Sequence, residues 1–109
     1  MTHSVIKTAV ATAALLLALS PAAVLSADGE KLYQTKTCST CHGKDGNTPI
    51  MPMYPKIAGQ NKEYTLQQMA DIKSGARNNG QSAAMKGVMH LVSDEEMQAL
   101  SEYIATMTP

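Results

Sequence analysis

The reactive chemistry of this chain is concentrated in one stretch, Cys38-Ser39-Thr40-Cys41-His42, which holds both of its cysteines. Three chemistries use a Cys-x-x-Cys pair. A disulfide here would close a very short loop and remove little chain entropy, and such bridges are redox-active rather than structural. A structural zinc site calls for more sulfur or imidazole ligands than this stretch supplies. The third is covalent haem attachment, in which each thiol adds across a vinyl group to make a thioether. The histidine directly after the second cysteine then presents its imidazole to the iron. His42 shifts the balance to haem. A thiol oxidoreductase would also place a Cys-x-x-Cys at a helix start, but in an α/β fold, and no strand-like alternation is visible.

The composition agrees with a bound group of some bulk. The 109 residues suffice for one domain, yet they include no Trp, no Phe and four Tyr. A small domain so poor in aromatics has little to fill a core, and a large flat cofactor would supply it. Nine basic residues balance nine acidic ones. No basic stripe or polybasic tail points to nucleic acid or to an anionic membrane surface.

Residues 1–27 read as a signal peptide, leaving 28–109 as the functional domain. Lys7 supplies the positive start, Thr8 to Leu19 form an apolar core of 12 residues, and Ser20-Pro21 breaks it. Cleavage after Ala27 and after Ser26 both fit. The competing reading is an uncleaved anchor, but the run falls short of the roughly 20 apolar residues a spanning helix needs. The expectation is an exported domain, with no membrane span after cleavage.

The elements that must position the motif are helical. Asp28 to Thr37 reads as a first helix with Asp28 as N-cap and with Gly29 and Tyr33 on one face. Gly43 to Pro55 reads as a loop that nevertheless carries Ile50, Met51, Met53 and Tyr54. A second helix is expected over about Lys62 to Ser74, with Tyr64, Met69 and Ile72 buried. Gly75 to Gly87, with Asn78-Asn79-Gly80, reads as a second polar loop. Ser93 and Glu96 form a capping box for a last helix. Its stripe of Met97, Leu100, Ile104 and Met107 recurs at helical spacing. The expected fold class is all-α, three main helices with long loops, and a cofactor would account for loops of that length in so small a domain.

Together these residues resemble a class I c-type cytochrome, a small monohaem electron carrier, over nearly all of Asp28 to Pro109. The likeness rests on CSTCHGKDGN, on the Gly29/Tyr33 and Leu100/Tyr103 helix pair, on PMYPKIAGQ followed by a helix from Tyr64, and on a Met a few residues before a Ser-Asp-Glu-Glu helix start. PMYPKIAGQ, with Arg77 after Gly-Ala, is most similar to bacterial periplasmic carriers, including single lobes of the dihaem kind. The resemblance implies a cytochrome c-like fold around one covalent haem c (heme c) bound through Cys38 and Cys41. It implies that His42 is one axial ligand and that the Pro52 carbonyl accepts its ring N–H, fixing the tautomer.

The other axial ligand must be chosen among eight Met. Met69, Met97 and Met107 suit helix packing. By the family pattern Met51 and Met53 lie on the histidine side, and the ligand comes from the segment before the last helix. Met85 matches the usual distance to Ser93, Met89 would pack against haem or helix, and His90 would give bis-histidine ligation. Tyr64 reads as a porphyrin contact or as core, and Arg77 as a haem-propionate partner or as a solvated side chain.

The implied function is one-electron transfer between redox proteins by a monomer that is not an enzyme. Lys31, Lys36, Lys44, Lys56, Lys62, Lys73 and Lys86 are candidates for an orienting ring. The alternatives are a haem subunit of a larger oxidoreductase, and a haem enzyme or gas sensor with a displaceable sixth ligand.

Overall fold

A computed structural model describes residues 27–109. The expected leader therefore lies, apart from Ala27, outside the described residues. Five helices follow: α1 Gly29–Thr35, α2 Cys38–His42, α3 Lys62–Ser74, α4 Ser82–Met89 and α5 Asp94–Thr106. Among the described residues there is no strand, and no helix is long and apolar enough to cross a membrane. The all-α expectation holds, with five helices where three main ones were expected.

Local chemistry sets most helix ends. The Asp28 carboxylate accepts the Lys31 N–H at 3.1 Å and starts α1. Asn61 accepts the Tyr64 N–H at 3.0 Å and starts α3, which ends on Gly75 in the left-handed region, φ 87°. In α5 both halves of the capping box form: Ser93 Oγ accepts the Glu96 N–H at 3.2 Å, and the Glu96 carboxylate accepts the Ser93 N–H at 3.0 Å.

Helices α1 and α5 cross at Gly29. A Cβ there would sit 2.7 Å from Tyr103 Cβ and overlap the Ala99 carbonyl oxygen, so the absence of a side chain lets the backbones meet. Beside the crossing, the Tyr33 and Tyr103 rings pack at 5.6 Å and 60°. The core that results is small: Tyr33, Met69, Ile72, Met89, Val92, Met97, Leu100 and Ile104.

Two expectations are corrected. Residues 75–87 are not all loop, because Ser82–Met89 is helical. No side chain caps its start, and the preceding Asn-Asn-Gly turn and the internal Gly87 mask its local signal. What holds it is burial of Ser82 and Met89 against α3, which the local sequence does not display. Tyr64 is not buried with Met69 and Ile72. It is 54 % exposed, at the mouth of the cavity that Met69 and Ile72 line from within.

Gly29→Ala is expected to cost about 1–3 kcal/mol by overpacking the crossing, read from denaturant unfolding of the haem-bearing protein. Ser93→Ala is expected to cost about 1 kcal/mol. The capping bond from the Ser93 N–H holds the Glu96 carboxyl below its ordinary 4.5. A carboxyl depressed in the folded state adds stability above its unfolded pKa, and that stability is lost as pH falls through the folded value. Glu96→Gln should therefore be less stable at neutral pH and show a flatter decline below about pH 4.5 than the parent, measured by urea titration across pH.

Candidate functional site: a haem cleft

Thr37 turns the chain from α1 into α2. It is the one non-glycine residue at positive φ among the described residues, at 66°, a left-handed conformation that β-branched residues rarely adopt. Helix α2 then sets Cys38 and Cys41 three apart, hence on one face. Both are half-buried free thiols, and burial pushes the Cys38 thiol up to about 11. His42 follows, 7 % exposed. The Tyr33 hydroxyl donates to the Gly43 carbonyl at 2.7 Å and ties the end of this motif to the helix crossing. Burial also pushes the Tyr33 phenol up to about 12.

The His42 imidazole lies 2.8 Å through Nδ1 from the Pro55 carbonyl. A carbonyl can only accept, so Nδ1 carries the proton and donates, and Nε2 keeps its lone pair. Burial holds the imidazole below its ordinary 6.5, which favours the neutral ring that a metal requires. The expected partner was Pro52, and this is corrected. A turn in which the Tyr54 N–H donates to the Met51 carbonyl at 3.0 Å leaves Pro52 exposed at its outside and brings Pro55 to the imidazole.

A cavity of about 460 Å³ opens beside this motif, within the roughly 300–1,000 Å³ of cofactor pockets. Cys38, Cys41 and His42 line it together with residues of α3, α4 and α5 and of the loop around Met53–Ile57. Met85 and Met89, one turn apart on α4, both reach it, Met85 half-buried and Met89 fully so. His90 is exposed and does not line it, and neither do Met51 or Pro52. Met53 and Tyr64 line its mouth and remain exposed. Arg77 reaches the cavity with its guanidinium held by Gln68 Oε1 at 3.0 Å. The Thr65 hydroxyl, on the cavity wall, is buried without a hydrogen-bond partner among the described residues. A buried donor normally finds an acceptor, so this one marks where a ligand would offer one.

Pro55, Thr65 and Gln68 were missed by sequence reasoning. Pro55 sits in the same PMYP run as Pro52, so the motif was visible while its register was not. Nothing in the sequence distinguishes Thr65 or Gln68 from other polar residues of an amphipathic helix.

Two thiols on one face, a neutral buried imidazole with a free nitrogen, thioether sulfurs and an apolar cleft match the needs of a thioether-bound haem. The sequence model of the Cytochrome c family matches residues 26–108. The chain belongs to that family. It is 42% identical over 69 residues to cytochrome c4 of Pseudomonas aeruginosa, covering 63% of this chain and 32% of that protein. It is 31% identical over 91 residues to cytochrome c-553 of Nitratidesulfovibrio vulgaris, covering 84% and 87%. The crystal structure of reduced recombinant cytochrome c4 from Pseudomonas stutzeri superposes with a TM-score of 0.67 at 32% identity, covering 79% of this chain and 50% of that one. The chain thus spans about a third to a half of the c4 proteins it matches, in keeping with one lobe of that dihaem kind.

As a c-type cytochrome it carries covalently attached haem c, and Cys38 and Cys41, its only cysteines, have the Cys-x-x-Cys-His spacing for the two thioethers. The pyridine haemochrome spectrum of the protein is expected to survive acid–acetone extraction. In a Cys38→Ser/Cys41→Ser double variant the haem signal should leave with the organic phase.

Proposed function

We propose that this cytochrome is a one-electron carrier in the periplasm, with His42 and Met85 as its two axial ligands. The observation that carries the reading is the Nδ1–Pro55 bond. It aims one fixed, neutral imidazole nitrogen at a cleft into which α4 also delivers a thioether sulfur. Haem iron supplies the chemistry, exchanging one electron between Fe(II) and Fe(III). The chain's residues have no proton to move and no bond to break. They hold a ligand set, exclude water from it and tune it.

Each residue has its part. Pro55 orients His42 and strengthens it as a donor. Both Met85 and Met89 line the cleft, but Met89 is fully buried in the core while Met85 is half-buried, which favours Met85 as the ligand. A Met ligand favours the reduced state and raises the potential. Arg77, braced by Gln68, is placed to pair with a propionate, as guanidinium does with carboxylates. Tyr64 covers part of the cleft mouth. Were His42 and Met85 both to hold the iron, no position would be left open to a substrate, as a carrier requires.

The seven lysines do not form a free orienting ring. Lys36, Lys62 and Lys73 pair with Glu96, Glu102 and Asp94 at 3.6, 3.0 and 3.9 Å. Met53 and Tyr64 instead leave exposed apolar surface at the cleft mouth, and Ile50 and Met51 are exposed on the same loop as Met53. Such a surface suits brief docking of redox proteins through a small interface, with a rate that depends weakly on salt. Residues 1–27 act as the signal peptide, removed after Ala27 or Ser26. The family match from residue 26 supports that boundary. The exported domain is a monomer.

Met85→Ala is expected to abolish the Met–Fe(III) charge-transfer band and to lower the midpoint potential, while Met89→Leu keeps both. Retention of the band in Met85→Ala, with its loss in Met89→Leu, would reassign the ligand. A five-coordinate high-spin spectrum of the native reduced protein would favour a sensor or enzyme.

A further inference from the structure

Helix α4 ends in an unusual way. Past Met89 the chain continues as a tightened turn, with Leu91 N–H donating to the Val88 carbonyl at 2.9 Å and Val92 N–H to the Met89 carbonyl at 3.1 Å. Ser93 then caps α5. The Leu91 and Val92 carbonyls are left at the negative end of α4 with no N–H following to take them up. Two lysines from different helices reach them. Lys36, just after α1, donates through Nζ to the Leu91 carbonyl at 2.8 Å. Lys73, in the last turn of α3, donates to the Val92 carbonyl. The same ammonium groups pair with the opening turn of α5, Lys36 with Glu96 and Lys73 with Asp94. Each lysine is about seven-tenths buried along its side chain.

We propose that Lys36 and Lys73 are positioning residues that clamp the α4–α5 junction and so hold Met85 on the iron. The inference rests on the His42/Met85 reading and deepens it. Helix α4 has 8 residues and no side-chain N-cap, so it has little stability of its own. Met85 stays in the cleft only while the helix stays seated, and its far end is seated by these two charge-assisted bonds. With haem bound, an outside nitrogen ligand would replace the Met85 sulfur only while α4 is unseated, one bond to iron being exchanged for another. No electron is exchanged in that substitution. Its apparent affinity scales with the population of the open state. Removing the clamp raises that population and leaves the closed geometry alone.

The test compares holoprotein of Lys36→Leu, Lys73→Leu and the double variant with a Lys31→Leu/Lys44→Leu control that removes the same charge from lysines outside the three ion pairs. Imidazole titration of the ferric protein is expected to give about threefold tighter binding for each single variant and about tenfold for the double, below the full size of a charge-assisted bond because water still screens each part-exposed ammonium. The control should match the parent, and Lys36→Arg/Lys73→Arg should largely restore it. Without imidazole the double variant keeps the charge-transfer band. Hydrogen exchange of the Met85 to Val92 amides should accelerate by a similar factor. Imidazole affinity and exchange of the double variant within twofold of the parent would overturn the clamp, as would an equal effect in the control. If Met85→Ala keeps the band, the ligand assignment fails instead, and the exchange rates still report on the clamp.

Discussion

One hydrogen bond organises the site, that from His42 Nδ1 to the Pro55 carbonyl. It decides the tautomer, the ring orientation and the direction in which the free nitrogen points. It also explains the form of the loop between α2 and α3. A segment with several Pro and Gly residues makes no regular structure, but it can hold one carbonyl over a buried ring. The turn at Met51–Tyr54 and the Ile50 N–H to Cys41 carbonyl bond, 3.1 Å, keep that loop against α2. Flexible chain there would leave the imidazole free to rotate, and a rotating ligand makes a poorly defined potential.

The motif is fastened to the rest of the fold through a second bond. Tyr33 is buried at the α1–α5 crossing and donates to the carbonyl of Gly43, the residue after His42. The crossing depends in turn on Gly29, where any side chain would meet the Ala99 backbone. The terminal helices therefore act on the placing of His42 as well as on stability. This is why the small-residue contact lies so close in the fold to a residue far from it in function.

A core of eight buried apolar side chains, one of them aromatic, is slight for a domain of this size. What an ordinary domain does with Phe and Trp is left to the cleft and whatever it binds. Haem thus serves as structure as well as chemistry, and the buried, partnerless hydroxyl of Thr65 belongs to the same logic. Such a hydroxyl is costly in a closed protein interior and sensible on the wall of a polar-edged cofactor site. The lysines follow a similar economy: Lys36, Lys62 and Lys73, which could have steered a partner, pair instead with acidic side chains of α5.

What could be read from the sequence was whatever depends on residues a few positions apart. Cys38, Cys41 and His42, the Asp28 cap, the Ser93–Glu96 capping box and the apolar stripe of α5 are all contacts within about one helical turn, and all are found. The structure alone decided what depends on closing longer loops. The choice of Pro55 over Pro52 needs a 13-residue loop to fold back on His42. The helicity of Ser82–Met89 comes from packing on α3, and the exposure of Tyr64 depends on where the cleft opens. The junction of α4 and α5 is held by lysines 55 and 19 residues away. Short-range patterns carry their own energy in the sequence; a carbonyl's partner across a loop is set only when the whole chain has found its place.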